Sequence, residues 1–181
     1  DLVIAADGGA RHAITCGWMP DHVVGDLDSL SPALQRRLEK TKFHRYSPKK
    51  SQSDAELALK FLLTQHPTDI VILGALGKRF DHALANLMLL SMVPKGIPIK
   101  IMDATLEILF ATEEVTFSGK KGDFVSLISF SQEGRFTTEG LSYPLNHETL
   151  LSHSHGLSNQ MTATTASVKA SACPFFVFHY F

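Results

Sequence analysis

The chain of 181 residues has little cysteine: Cys16 and Cys173 are the only two, far apart and in no C-x-x-C arrangement. This argues against both a disulfide framework and a thiolate zinc site, and it fits a reducing, cytoplasmic setting. Charge of either sign is also scarce, since 17 Lys and Arg against 18 Asp and Glu leave a formal net charge of −1. No electrostatic case exists for nucleic acid or an anionic membrane as partner, so any polyanion must be held locally. No apolar run approaches the roughly 20 residues of a membrane helix, and no signal-peptide pattern stands at the start. What remains is an ordinary globular composition, 44% hydrophobic and 19% charged, enough for one large domain or two small ones. The chain opens directly on the strand-like Leu2-Val3-Ile4-Ala5-Ala6, which suggests a further strand upstream.

Strands and helices alternate through the first half. Residues 2–6 read as a buried strand ending in Asp7-Gly8-Gly9-Ala10, where glycines admit close approach of backbone to a ligand, and a short helical pattern runs on to Cys16. After Pro20, His22-Val23-Val24 reads as a second strand leading into Gly25-Asp26-Leu27-Asp28-Ser29. Ser31 is placed to cap a helix with Pro32 in its first position, running to Lys40. Phe43 to Ser47 reads as a third strand, and Ser53-x-x-Glu56 as a capping box that opens an amphipathic helix from Asp54 to Gln65. A β-branched run from Asp69 to Leu73 follows, Gly74-Ala75-Leu76-Gly77 turns the chain, and Asp81 is placed to cap a helix from His82 to Met92. Beyond Pro94 the pattern changes. Residues 97–102, 106–111, 115–117, 124–130, 135–139, 161–170 and 175–180 read as strands with no long helix between them. The fold class expected is α/β plus all-β: an N-terminal parallel-sheet α/β domain over 1–103 and a C-terminal β-sandwich over 104–181.

An open parallel sheet delivers the C-terminal ends of its strands to one edge, where ligands bind. Asp7, Asp26, Asp28, Asp54 and Asp81 all follow a strand or open the helix after one, so the five are expected on one rim. Any one of them alone is best read as a cap or a solvated turn residue. Together they would repel one another, and a divalent cation with a polyphosphate relieves that repulsion. Asp26 and Asp28 resemble a site for a hard cation such as Mg²⁺, which takes carboxylate and phosphate oxygens. The pairs Lys49-Lys50 and Lys78-Arg79 are expected on the same rim.

Asp7-Gly8-Gly9-Ala10, Gly25-Asp26-Leu27-Asp28-Ser29, Gln52-Ser53-Asp54-Ala55-Glu56 and Gly74-Ala75-Leu76-Gly77-Lys78-Arg79-Phe80-Asp81-His82, in this order and spacing, resemble the signature set of the thiamine pyrophosphokinase family. Gly140-Leu141-Ser142-Tyr143-Pro144-Leu145 and Gly156-Leu157-Ser158-Asn159 are similar to motifs of that family's sandwich domain, so the resemblance covers nearly the whole chain. It implies a nucleotide-binding α/β domain and a thiamine-binding sandwich, working as a homodimer with thiamine in a cleft between subunits. The implied reaction moves the pyrophosphoryl group of ATP to the hydroxyl of thiamine, with Mg²⁺ as cofactor. By the same resemblance, Asp26, Asp28 and Asp54 hold the metal, and Asp7 and Asp81 orient the ligands or the attacking hydroxyl. Gly8, Gly9, Lys78 and Arg79 meet ATP phosphates, while Gln52, Ser158 and Asn159 meet thiamine. Lys78 departs from the pattern, standing where bacterial members usually carry a second glycine.

Two other functions compete. A pyrophosphokinase for another primary alcohol, such as a hydroxymethylpterin, would use the same phosphate apparatus, and the sandwich motif at Ser158-Asn159 is what favours thiamine. A non-catalytic sensor of nucleotide or thiamine phosphates would bind without turnover, and five retained aspartates argue against it. His147, His153 and His155 lie in a polar stretch with no matching thiol or carboxylate pattern and read as solvated loop rather than zinc ligands. Trp18 reads as core packing or an anchor near a turn, and the aromatics of 175–180 as sandwich core.

Overall fold

Val23 and Val24 are both fully buried, although as neighbours on one strand they face opposite ways. Val23 packs with Ala5, Ala10, Leu27, Leu30 and Leu38, whereas Val24 packs with Leu57 and Ala58. Such a strand must have helices on both sides, and burying each valine contributes roughly 1.5–3 kcal/mol. The computed structural model describes residues 1–131, 133–150, 154–171 and 173–181. It divides into two units, Asp1–Pro67 and Thr68–Phe181.

The first unit holds β1 (Ile4–Ala6), α1 (Gly9–Thr15), β2 (His22–Gly25), α2 (Pro32–Arg37), β3 (Lys42–Arg45) and α3 (Asp54–Leu63). The strands form a parallel sheet in the order β1-β2-β3, so their C-terminal ends share one edge. Ser31 caps α2 as expected, its hydroxyl accepting from the Leu34 amide at 3.3 Å. The helix stops at Arg37 rather than near residue 40, because Leu38 leaves helical geometry and is fully buried. Ser53 accepts from the Glu56 amide at 3.1 Å, but only half of a capping box forms. The Glu56 carboxylate turns away to accept from Gln52 and Lys60. Trp18 is 53% exposed, which overturns core packing and leaves the other reading, an anchor near a turn.

The second unit holds β4 (Ile70–Leu73), α4 (Phe80–Leu89), a 3₁₀ turn at Leu90–Met92, then β5 (Ile99–Met102), β6 (Leu106–Ala111), β7 (Glu114–Ser118), β8 (Phe124–Ser129) and β9 (Arg135–Glu139). The remaining strands are β10 (Asn146–Thr149), β11 (Asn159–Gln160), β12 (Thr165–Ala170) and β13 (Phe175–Tyr180). One sheet runs β11-β8-β13-β6-β5-β4, with only β4 and β5 parallel, and a second runs β10-β9-β12-β7. Their facing side chains make one core, Val125, Leu127, Phe175 and Val177 from the first against Phe117, Phe136, Ala166 and Val168 from the second.

Three expectations change here. The strand expected over 161–170 is shorter: β12 covers only Thr165–Ala170, Met161 makes a lone bridge to Leu141, and β11 just before it belongs to the other sheet, so the chain turns between them. Residues 146–149 are a strand rather than loop, with His147 at a register shift and φ of 57°. Asp81 does not cap a helix from His82; α4 begins at Phe80, with Arg79 at the N-cap and Asp81 in the first turn. Phe175 and Phe176 are core as expected, while Tyr180 is 45% exposed. His153 lies outside the described residues.

Candidate active site

At the C-terminal edge of the three-stranded parallel sheet, each element delivers an acid. Asp7 follows β1, Asp26 follows β2, and Asp54 opens α3. One oxygen from each lies within 4.8 Å of the others. Gly25 makes this approach possible, since a Cβ there would stand 2.8 Å from the Cβ of Asp7 and 3.1 Å from an oxygen of Asp54. Asp7 leaves its strand at φ 40°, its amide donating to the Val24 carbonyl at 2.9 Å. Ser29 donates its hydroxyl to Oδ2 of Asp7, whereas Oδ1 is buried with no partner. Asp28 lies outside this trio and is exposed; its amide donates to Asp26 Oδ1 at 3.2 Å, which fixes the Asp26 rotamer. Lys50, from the segment between β3 and α3, reaches into the trio, with Nζ 2.6 Å from Asp54 Oδ1 and 4.0 Å from Asp26 Oδ2.

Of the other residues expected at the site, Gln52, Gly8 and Gly9 belong to the first unit and the rest to the second. Gln52 donates its amide to Glu56 at 3.0 Å. Arg79 grips Asp81 with two donors, Nε to Oδ1 at 3.1 Å and Nη2 to Oδ2, and both side chains are well exposed, as is Lys78. Asn159 bridges to the chain around Tyr143: Oδ1 accepts from the amides of Tyr143 and Gln160, and Nδ2 donates to the Tyr143 carbonyl at 2.7 Å. Ser158 takes φ of 59° and donates its amide to the Ser126 hydroxyl, leaving its own hydroxyl for other partners. Gly8 and Gly9 stand at the start of α1, and nothing lies within 4 Å of where a Cβ on Gly9 would be.

Residues 1–101 match the family model "Thiamin pyrophosphokinase, catalytic domain", and residues 108–172 match "Thiamin pyrophosphokinase, vitamin B1 binding domain". The chain is 34% identical, over 152 residues, to thiamine pyrophosphokinase of Bacillus subtilis (strain 168), an alignment covering 81% of this chain and 71% of that protein. The chain belongs to the thiamin pyrophosphokinase family. A solved structure of thiamine pyrophosphokinase from Bacillus subtilis superposes with a TM-score of 0.87 at 28% identity, covering 99% of this chain and 87% of that one. The thiamin pyrophosphokinase from Candida albicans, 16% identical, shares the fold with a TM-score of 0.83 over 99% of this chain and 81% of its own.

The electrostatics follow from the geometry. The charge of Asp26, then burial and the charges of Asp7 and Asp54, raises the Asp28 carboxyl above its ordinary range. The hydrogen bond to Asp54 raises the Lys50 ammonium, so it stays charged. The Arg79 donors hold Asp81 below the usual carboxylate range. A cluster missed by the sequence reading lies in the second unit. His179, 1% exposed, faces Glu107 at 3.0 Å through Nδ1 and Asp123 at 3.1 Å through Nε2, and Lys100 donates to Glu107 at 2.9 Å. Strand alternation carried the signal, since positions 175, 177 and 179 share a face and the first two are core.

Proposed function

We propose that the protein transfers the pyrophosphoryl group of ATP to the hydroxyl of thiamine, giving thiamine diphosphate and AMP. The observation that carries this reading is the presence, in one chain and in order, of matches to both a catalytic and a vitamin B1 binding domain. Residues 1–103 are taken as the ATP and Mg²⁺ domain with a nucleotide-binding parallel sheet, and 104–181 as the thiamine domain. The spans of the two matches support that division.

Asp26 and Asp54 would hold Mg²⁺, with Asp7 joining them and Asp28 near at hand. The donor set suits it, being all hard oxygen, and the buried, unpartnered Oδ1 of Asp7 is an acceptor in want of a cation. When bound, the ion neutralises charge on the transferring phosphates. Lys78 and Arg79 supply further positive donors for phosphate oxygens, and Gly8 and Gly9 leave the backbone free to approach the nucleotide. Asp81, kept ionised by Arg79, can only accept, which suits it to orient a hydroxyl. Ser158 and Gln52 serve thiamine directly, whereas Asn159 serves it by holding the Tyr143 turn.

The protein acts as a homodimer in the cytoplasm. Phe80, Leu84, Met88 and Met92, spaced one turn apart on and after α4, are all exposed, Phe80 by 79%, and such a stripe supports association with a second copy. Among the described residues no helix is long and apolar enough to cross a membrane. Incubation with ATP, Mg²⁺ and thiamine is expected to release AMP and thiamine diphosphate in equal amounts. Release of ADP instead would exclude pyrophosphoryl transfer.

A further inference from the structure

Lys50 takes no part in the reading above, yet its ammonium lies closer to the acidic trio than any other cation among the described residues. Its side chain is only 15% exposed, while the other lysine paired across four positions nearby, Lys60 with Glu56, is 45% exposed. Lys60 makes a surface pair of the ordinary kind, whose removal changes little. Lys50 instead leaves the β3–α3 segment to meet Asp54 and Asp26 together, two of the three residues whose oxygens converge. Lys49, its neighbour, is exposed and points to no carboxylate of the trio within salt-bridge distance.

We propose that Lys50 is a resident counter-ion of the acidic trio, which holds Asp54 and Asp26 together in the metal-free protein and opposes entry of the divalent cation. The inference rests on the cation site proposed above and concerns how that site is regulated. Three carboxylates this close repel one another, and one ammonium offsets part of that repulsion. A divalent cation seeking Asp54 Oδ1 must displace the ammonium from that oxygen or bind in its field. In either case the lysine weakens binding of the bare cation. The displaced ammonium is then free to meet an anion that arrives with the metal, which favours the metal–polyphosphate pair over the metal alone.

The test measures Mn²⁺ alone by electron paramagnetic resonance, and Mg²⁺ alone by calorimetry, on the full chain without nucleotide. Lys50→Gln is expected to bind either ion roughly tenfold more tightly than wild type, the effect of removing one nearby positive charge from a partly exposed site. Without metal, Lys50→Gln is expected to melt at a lower temperature, and its metal-induced rise in melting temperature to be larger. Lys50→Arg keeps the charge and is expected to bind like wild type. Lys49→Gln serves as the control for net charge and is expected to change nothing. Unchanged or weaker metal binding by Lys50→Gln, or equal tightening in Lys49→Gln, overturns the proposal. The cation site is judged separately: wild-type binding that is lost in Asp54→Asn upholds the site whatever Lys50→Gln does. Absence of binding by both wild type and Lys50→Gln removes both.

Discussion

In the β-rich unit four polar side chains satisfy one another; in the amino-terminal unit four do not. Glu107, Asp123, His179 and Lys100 form a closed set, in which both ring nitrogens of the histidine face carboxylates and the lysine takes the remaining oxygen of Glu107. Asp7, Asp26, Asp54 and Lys50 form an open one, with three acids, one ammonium and a buried oxygen that has no partner. A closed set leaves its charges and donors matched within the fold. The open set carries excess negative charge at a sheet edge, which the proposed divalent cation would complete.

The largest expected effect separates the two sets by activity. Asp26→Asn or Asp54→Asn removes a charged oxygen from the proposed cation site, so turnover of thiamine at saturating Mg²⁺ should fall at least about a hundredfold. Melting temperature without metal should hold or rise, because repulsion in the open set is relieved. Activity within tenfold of wild type would take the residue out of the metal site.

His179→Leu reverses the pattern. It strands the Glu107 carboxylate, which is only 7% exposed, without its histidine partner, and the expected loss is about 3 kcal/mol of stability in urea unfolding. The metal-alone affinity of the acidic trio should be untouched. A loss below about 1 kcal/mol would mean that the closed set is solvated rather than structural.

The smallest effect is in the titrations, whose signs are opposite. Burial pushes Glu107 up, but hydrogen bonds from His179 and Lys100 outweigh it and leave its carboxyl below the ordinary value. Asp123 is lowered chiefly by the Lys120 amide. Both contribute stability that is present above the unfolded values, about 4.3 for Glu and 3.9 for Asp, and that is lost as pH falls through the lower folded values. Asp28 is raised, so its unfavourable charge is present above its folded value and is relieved as pH falls through it. Carboxyl carbon shifts followed by NMR should show Asp28 titrating at higher pH than Asp123. The reverse order would mean that Asp26 and Asp28 do not share a field.

Local chemistry was legible where one residue type serves one backbone purpose. Ser31 with Pro32 and Ser53 before Asp54 start their helices as read, because a cap needs only a hydroxyl at one position. The alternation of strands and helices, and the change to strands after Pro94, also follow from periods of 3.6 and 2. Side-chain pairing was less legible, since it depends on distance through space. Nothing in the spacing says that Arg79 closes on Asp81, that Asn159 spends its amide on Tyr143, or that Asp7 rather than Asp28 completes a trio. The short β11 and the turn before Thr165 were missed for a similar reason: the chain changes sheets there, and no local propensity records which sheet a strand joins.

The position of β13 has a consequence for biosynthesis. This strand lies between β6 and β8, hydrogen-bonded to both, although it leaves the ribosome after all the other described strands. Until it emerges, β6 and β8 each present an unpaired edge, and Phe117, Phe136 and Val168 lack the aromatic face of Phe175. The first 67 residues have no such dependence, because their strands pair in the order of synthesis, β1 with β2 and β2 with β3. The nascent chain therefore passes through a stage in which one half can hold its fold while the other is an open, sticky half-sandwich. It is during this interval, rather than after completion, that aggregation or chaperone capture would act on this protein.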